Sequence, residues 1–437
     1  MRRPRIFRSF RIWLIPGLHI KRWLLLFMLG VMLLSIGLAF MLRSAYASGA
    51  HPMLVRWLFL QFMPRWARAA IFGSAGLALT LWAFVRLSQS LLSPFMASGQ
   101  DVAVQVYRHR RRQQGARIVC IGGGTGMPST LRGLKRHTSN ITAVVTVADD
   151  GGSSGRLRRE MGLLPPGDIR NNLAALSEAE SIVRQLFQYR FSEGTGLEGH
   201  AFGNLYLAAM AGVTGSFEQG LLASNQVLAV RGRVLPSTLS QVQLVADVVG
   251  EDGKPQRIHG ESLIPKLGRG RRIQHVYLEP DNPPAYPEAI KAILNAEMII
   301  AGPGSLYTSI IPNLLVPGIA EAIRASQAVK VYVCNIATQP GETDGYDVAD
   351  HVRALEQNAG GNLFHYVLAN DHIPNTPPPG GESAWVLPQH KPGGCRLITT
   401  SLQDPQRPWR HDPEKMARAL MALLAQHSGG RTKKNGR

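Results

Sequence analysis

The amino-acid sequence predicts an α/β fold: a Rossmann-like, doubly wound, mostly parallel sheet, preceded by a two-helix transmembrane hairpin. Two observations predict the sheet. Short β-branched runs alternate with helical stretches between residues 117 and 370, the order that lays helices on both faces of a parallel sheet. Glycine-rich turns follow two of those runs directly, as where a strand feeds a helix whose N-terminus faces a phosphate. The hairpin is predicted by uncharged apolar segments at 23–42 and 69–85.

The first segment runs for 20 residues, rich in Leu, Met, Phe and Ile, and matches the roughly 20 residues a helix needs to cross a bilayer. It exceeds the apolar core of about 7–15 residues in a cleaved signal peptide. The second sits near the lower limit of about 17 residues, with Trp66 and Trp82 towards its two interfaces. Between them, residues 53–63 are broken by Arg56 and closed by Pro64, which suits an interfacial segment. Seven Lys/Arg precede the first span and four lie between the spans, while Arg86 and the cluster at 108–112 follow the second. Both ends therefore read as cytoplasmic. The expected localisation is the cell membrane, multi-pass, with the main domain in the cytoplasm and membrane contact through the two N-terminal helices.

The formal charge of +19 is unevenly placed. Residues 1–117 hold 17 Lys/Arg and one acid, and residues 427–437 hold four Lys/Arg and none; the remaining stretch has 27 basic and 28 acidic residues, a net of −1. A neutral body without an aromatic RNP-like strand or zinc-finger spacing predicts no nucleic-acid partner. Cys120, Cys334 and Cys395 lie far apart with no C-x-x-C spacing, against zinc and against a disulfide framework. The first two fall in apolar runs and read as small buried hydrophobes.

The expected organisation is a membrane region at 1–112, a nucleotide-binding domain at 116–372 with a β-rich insertion at about 226–261, a C-terminal extension at 373–426 ending in a helix, and a disordered basic tail at 427–437. In the domain, the strand at 117–121 leads into Gly122, Gly123, Gly124, Thr125 and Gly126. Met127 stands where a dinucleotide fingerprint needs its last glycine, and no Gly-Lys-Ser/Thr follows, so neither that fingerprint nor a Walker A loop is present. A second strand at 141–148 ends on Asp149 and Asp150, placed to bind ribose hydroxyls, although Asp before Gly also serves as a plain turn former. Asp168, Arg170 and Asn171 open a helix, where Asp168 also suits an N-cap. His200 and Asn204 precede another helix. A strand at 296–301 then leads into Gly302, Pro303, Gly304 and Ser305 before a helix, again suited to an anion. Two such loops point to a diphosphate or to two anionic ligands.

Together these motifs are far more specific than any one of them. GGGTG at 122–126, TVADDGGSSGRLR at 146–158, PPGDIRN at 165–171, GHAFGN at 199–204, VRGRVLP at 230–236, GPGSLYTSIIPNLLVPGI at 302–319 and TQPGETD at 338–344 resemble the gluconeogenesis factor family over about 116–425, including the RHD at 410–412. The first 115 residues lie outside these motifs. That family is related to 2-phospho-L-lactate transferase, and the resemblance implies a Rossmann-like fold with nucleotide at the glycine loops. The DDGGSSGR stretch looks like the gluconeogenesis branch, which implies a UDP-sugar ligand such as UDP-N-acetylglucosamine and a role in cell-envelope supply and cell shape. The transferase relationship implies the alternative, in which Asp150 and Asp168 are catalytic and hold Mg²⁺ on a diphosphate. No other cofactor is expected. A homo-oligomer and a regulatory protein partner are compatible with this reading, and the sequence identifies neither.

Overall fold

The computed structural model describes Gln113 to Lys434, except Thr195, Glu251, Asp252, Asn375 and Gly380, together with scattered residues between Val31 and Trp82. The chain divides into two units, Met1–Arg111 and Arg112–Arg437. In the first, the predicted spans at 23–42 and 69–85, the interfacial segment and the Arg-rich linker fall largely outside the described residues. Those that are described include helical positions at Val31, Met32, Ser35 and Ala39 and at 73–78. Among the described residues no single helix is long and apolar enough to cross a membrane.

The second unit holds strands β1 (Ile118–Gly122), β2 (Ile141–Val145), β3 (Arg233–Pro236), β4 (Gln243–Val249), β5 (Pro255–His259), β6 (Arg272–Glu279), β7 (Met298–Ala301), β8 (Val329–Val333), β9 (Tyr366–Asn370) and β10 (Arg396–Thr400). Seven of them form one sheet in the order β10-β9-β8-β7-β1-β2-β3, and every neighbouring pair is parallel. β1 stands in the middle, with Ile118 registered against Ile141 on one side and Met298 on the other. All five of its residues are buried, which explains the continuous apolar run: a strand covered on both faces has no solvent side to alternate with. The order reverses between β1 and β7. The crevice beyond the carboxyl ends of the strands at such a reversal is where this architecture places ligands.

Helices cover both faces: α1 (Met127–Leu134), α2 (Gly152–Met161), α3 (Gly167–Leu176), α4 (Glu180–Gln188), α5 (Phe202–Thr214), α6 (Phe217–Val227), α7 (Ile264–Leu267), α8 (Pro287–Leu294), α9 (Leu306–Leu314), α10 (Pro317–Ala325), α11 (Val348–Ala359) and α12 (Pro413–Lys434). Ile118 and Cys120 share one core with α1, α3 and α12, while Val119 and Ile121 share the other with α8 to α11. The bent, apolar pair α9 and α10, crossing at 74°, owes its hydropathy to this burial: Leu306, Tyr307, Ile310, Ile311 and Leu314 are at most 2% exposed. Cys120 and Cys334 are free and buried, and burial pushes the Cys120 thiol up to about 12.

Three boundaries differ from the sequence reading. The insertion is the antiparallel sheet β5-β4-β6, spanning 243–279 instead of 226–261. Gln226 lies in α6, and the VLP of β3 belongs to the main sheet, with Val234 in one core and Leu235 in the other. β6 was hidden by its polar positions, because much of one side faces solvent. β10 adds an unexpected edge strand within the extension. Finally, α12 continues to Lys434 into the stretch expected to be disordered, where no proline interrupts the chain. Its start is as expected, with Asp412 Oδ1 accepting from the amides of Glu414 and Lys415 at 2.8 Å each.

Candidate functional site

The two glycine loops meet above the reversal. A Cβ on Gly126 would lie 2.3 Å from the Pro303 carbonyl oxygen, so only glycine lets the loop after β1 touch the loop after β7. Gly302 adopts φ +80°, which favours glycine. Asn335, at the carboxyl end of β8, braces the second loop: its Oδ1 accepts from Gly304 N–H at 3.1 Å and its Nδ2 donates to the Gly304 carbonyl at 2.8 Å. Ser305 caps α9 through Thr308 N–H at 3.0 Å and donates its hydroxyl to Glu342. That hydroxyl, which the sequence offered to a phosphate, is committed to the fold.

Beside the loops opens a cleft of about 470 Å³. Gly124, Thr125, Gly126, Gly304 and Ser305 line it, as expected from sequence, and so do Glu261, Asn335, Gln339, Glu342, Trp409, Arg410 and His411. Thr125 and Gly126 precede α1, whose N-terminus carries partial positive charge. Trp409 is 38% exposed and offers an aromatic face; Arg410 makes no ion pair among the described residues. His411 is buried and donates from Nε2 to the Cys334 carbonyl at 3.1 Å. Burial pulls its pKa down to about 4 despite that bond, so it is a neutral part of the wall.

The predicted acids lie behind the first loop. Asp168 accepts from Gly124 N–H at 2.7 Å, so that amide is spent within the protein. Burial, then the charge of Asp149, pushes Asp168 up to about 6, against the Gly124 bond and Arg170. Asp149 accepts from Gly151 N–H at 3.0 Å, the turn-forming role, and burial raises its pKa ahead of the opposing bonds from Gly151 and Ser154. Asp150 accepts from Ser262 N–H at 2.9 Å and thereby anchors the turn after β5, which carries Glu261. Burial, followed by the charges of Asp149 and Asp168, pushes Glu261 up to about 8. Glu342, held by Ser305 and by the amides of Tyr307 and Thr308, is driven up to about 7 by burial.

Further back, His200 and Asn204 form a supporting layer and do not line the cleft. Ser153 Oγ lies 3.0 Å from His200 Nδ1 and accepts from Asn204 Nδ2 at 3.0 Å, tying α5 to the start of α2. Arg170 donates to Asn171 Oδ1 at 3.1 Å. Gly122, Gly123 and Gly302 shape the loops from beneath. Glu261 was missed because its turn is held to Asp150 by Ser262, 112 positions away, which leaves no local signal, and Trp409 because a lone aromatic in a loop has none. Asn335 was legible in principle, directly following a strand whose end faces the crevice.

As a cation site, Asp150 and Asp168 are incomplete: among the described residues no group of three or more His, Cys, Asp or Glu could hold a metal ion. Mg²⁺ commonly takes one or two carboxylates plus phosphates and waters. The crowded carboxylates therefore fit such an ion only together with a phosphate-bearing ligand.

The family model described as 2-phospho-L-lactate transferase CofD matches residues 118–424. The Bacillus subtilis gluconeogenesis factor is 47% identical over 319 residues, 71% of this chain and 99% of its own. A Deinococcus radiodurans relative is 40% identical over 436 residues, 95% of this chain and 90% of its own, so likeness extends into the first 115 residues, which the motifs alone had left outside. A crystal structure of a Bacillus halodurans protein, 44% identical, superposes with a TM-score of 0.65 over 70% of this chain and 99% of that one. On the matched span, the shared motifs and the common fold, the chain belongs to the 2-phospho-L-lactate transferase CofD family and stands among its gluconeogenesis factor relatives.

Proposed function

We propose that the protein is a UDP-sugar-binding regulator, acting from the cytoplasmic face of the cell membrane to link carbon metabolism to cell-envelope synthesis and cell shape. The observation that carries this reading is the set of groups that line the cleft. Trp409 and Arg410 offer an aromatic face and a guanidinium without an ion pair among the described residues, suited to a pyrimidine and a diphosphate. The N-terminus of α1 adds partial positive charge, and Glu261 and Glu342 can accept hydrogen bonds from sugar hydroxyls. A nucleoside diphosphate sugar carries those three chemistries.

A second reading, a Mg²⁺-dependent transferase, is favoured by the crowding of Asp149, Asp150, Asp168 and Glu261, which a divalent cation beside a diphosphate would relieve. If such an ion binds, it supplies charge neutralisation, while Asp150 and Asp168 hold it. Calorimetry on the full-length protein separates the two. The regulator reading expects saturable binding of UDP-N-acetylglucosamine or UDP-glucose in preference to GDP, nearly unchanged by EDTA, with no product formed. Mg²⁺-dependent consumption of a nucleotide donor would sink it in favour of the transferase.

A further inference from the structure

We propose that the amino-terminal edge of the sheet carries a second anion site, for a phosphate-bearing ligand, formed by Arg324, Lys330, His365, Arg396 and His427. Those residues line a cavity of about 470 Å³. It lies at the starts of β8, β9 and β10, whereas the glycine-loop cleft lies beyond the carboxyl ends of the strands, so one ligand cannot fill both.

Charge is the reason to assign it a ligand. Lys330 is only 7% exposed, and its ammonium donates to the Arg324 carbonyl at 3.1 Å. An ammonium has three donors and a buried one ordinarily has a carboxylate partner, yet no acid lines this cavity and Lys330 has no ion pair among the described residues. Burial lowers its pKa accordingly. Arg324 donates to the carbonyls of Ala359 and Gly360, which fixes the guanidinium without neutralising it. Arg396, at the first position of β10, makes no side-chain hydrogen bond or ion pair among the described residues. His365 Nδ1 accepts from Lys330 N–H at 3.4 Å, so its neutral ring carries the proton on Nε2 and is a donor there.

Three basic side chains, two imidazoles and no acid in a cavity of this size suit a phosphate monoester or diphosphate, whose charge of about −1.5 or more they can match. A soluble phosphorylated compound and a phospholipid headgroup share that chemistry.

The test titrates the full-length protein with inorganic pyrophosphate at fixed ionic strength, beside vesicles of phosphatidylcholine or of phosphatidylglycerol. Wild type should bind saturably with phosphatidylcholine present, and Arg396→Gln, an exposed substitution that leaves the core intact, should weaken binding at least about fivefold. Lys330→Gln should weaken it further, while neither variant changes UDP-sugar binding. Loss of pyrophosphate binding beside phosphatidylglycerol identifies a lipid headgroup as the source, and unchanged binding identifies a soluble phosphate. Absence of saturable binding by wild type, or equal binding by all three proteins, overturns the site.

Discussion

Around the cleft, some polar groups are crowded and tied into the fold, while others stand exposed on a loop. Asp168 is bonded to the first glycine loop, Asp150 to the turn of the insertion and Glu342 to the cap of α9, and burial raises the pKa of Asp168, Glu261 and Glu342. Trp409 and Arg410 meet no such demands. The contrast separates two kinds of residue around the cleft: among the tied groups a substitution disturbs loop geometry and folding, while among the free ones it disturbs only what is bound.

The largest effect should come from the seam between the two glycine loops. In Gly126→Val even the first side-chain carbon would overlap the Pro303 carbonyl, and the two loops must part, with an expected loss of about 3 kcal/mol or more. Gly304→Ala is the matched control, since its Cβ would sit 3.4 Å from the Gly123 carbonyl oxygen, a contact that needs little adjustment. Thermal melting should drop sharply for the first and hardly for the second. Equal melting temperatures would show that the seam is loose.

Trp409 and Arg410 should respond in binding alone. Arg410→Gln removes an exposed guanidinium with no ion pair to lose, so melting should stay within about 1 °C. UDP-sugar affinity should fall by about 1.5–3 kcal/mol, the range for a hydrogen bond to a charged group. A fall in melting temperature without a fall in affinity would place Arg410 among the tied residues and remove the distinction between the two groups.

How much of this was legible follows from the same contrast. Strands β1, β2, β7 and β8 were readable because burial on both faces writes an unbroken apolar run, and the glycine loops because glycine is required where backbones touch. β6 and β10 were not, being partly exposed strands whose polar positions break the run. Asp149, Asp150 and Asp168 were found, yet their partners Gly151, Ser262 and Gly124 turn them towards the protein, which no sequence pattern records. His200 and Asn204 stood out as a motif because packing demands them, one layer behind the cleft. Glu261 was out of reach, since the bond from Ser262 that holds its turn to Asp150 spans 112 positions.

Glu261 gives the finest test. Its carboxyl is pushed up to about 8 from an ordinary value of 4.5, by burial first and then by Asp149 and Asp168, with Thr308 opposing. Between those two pH values the folded protein holds a proton that the unfolded chain has released. Stability therefore falls as pH rises through this window, being undiminished below about 4.5 and lowest above about 8. Glu342 and Asp168, raised to about 7 and about 6, slope in the same direction, while His411, lowered to about 4, slopes the other way below about 6.5, so the clear fall in wild-type melting temperature should come between pH 6.5 and pH 8.5. Glu261→Gln keeps the shape of the neutral acid and cannot ionise. Its melting temperature should match wild type at pH 5 and exceed it at pH 8.5, by a margin worth about 1–3 kcal/mol once solvent access to the group is allowed for. An equal difference at both pH values would mean that the gain is packing and not charge, and a variant less stable at pH 8.5 would show that the Glu261 carboxylate stabilises the site it crowds.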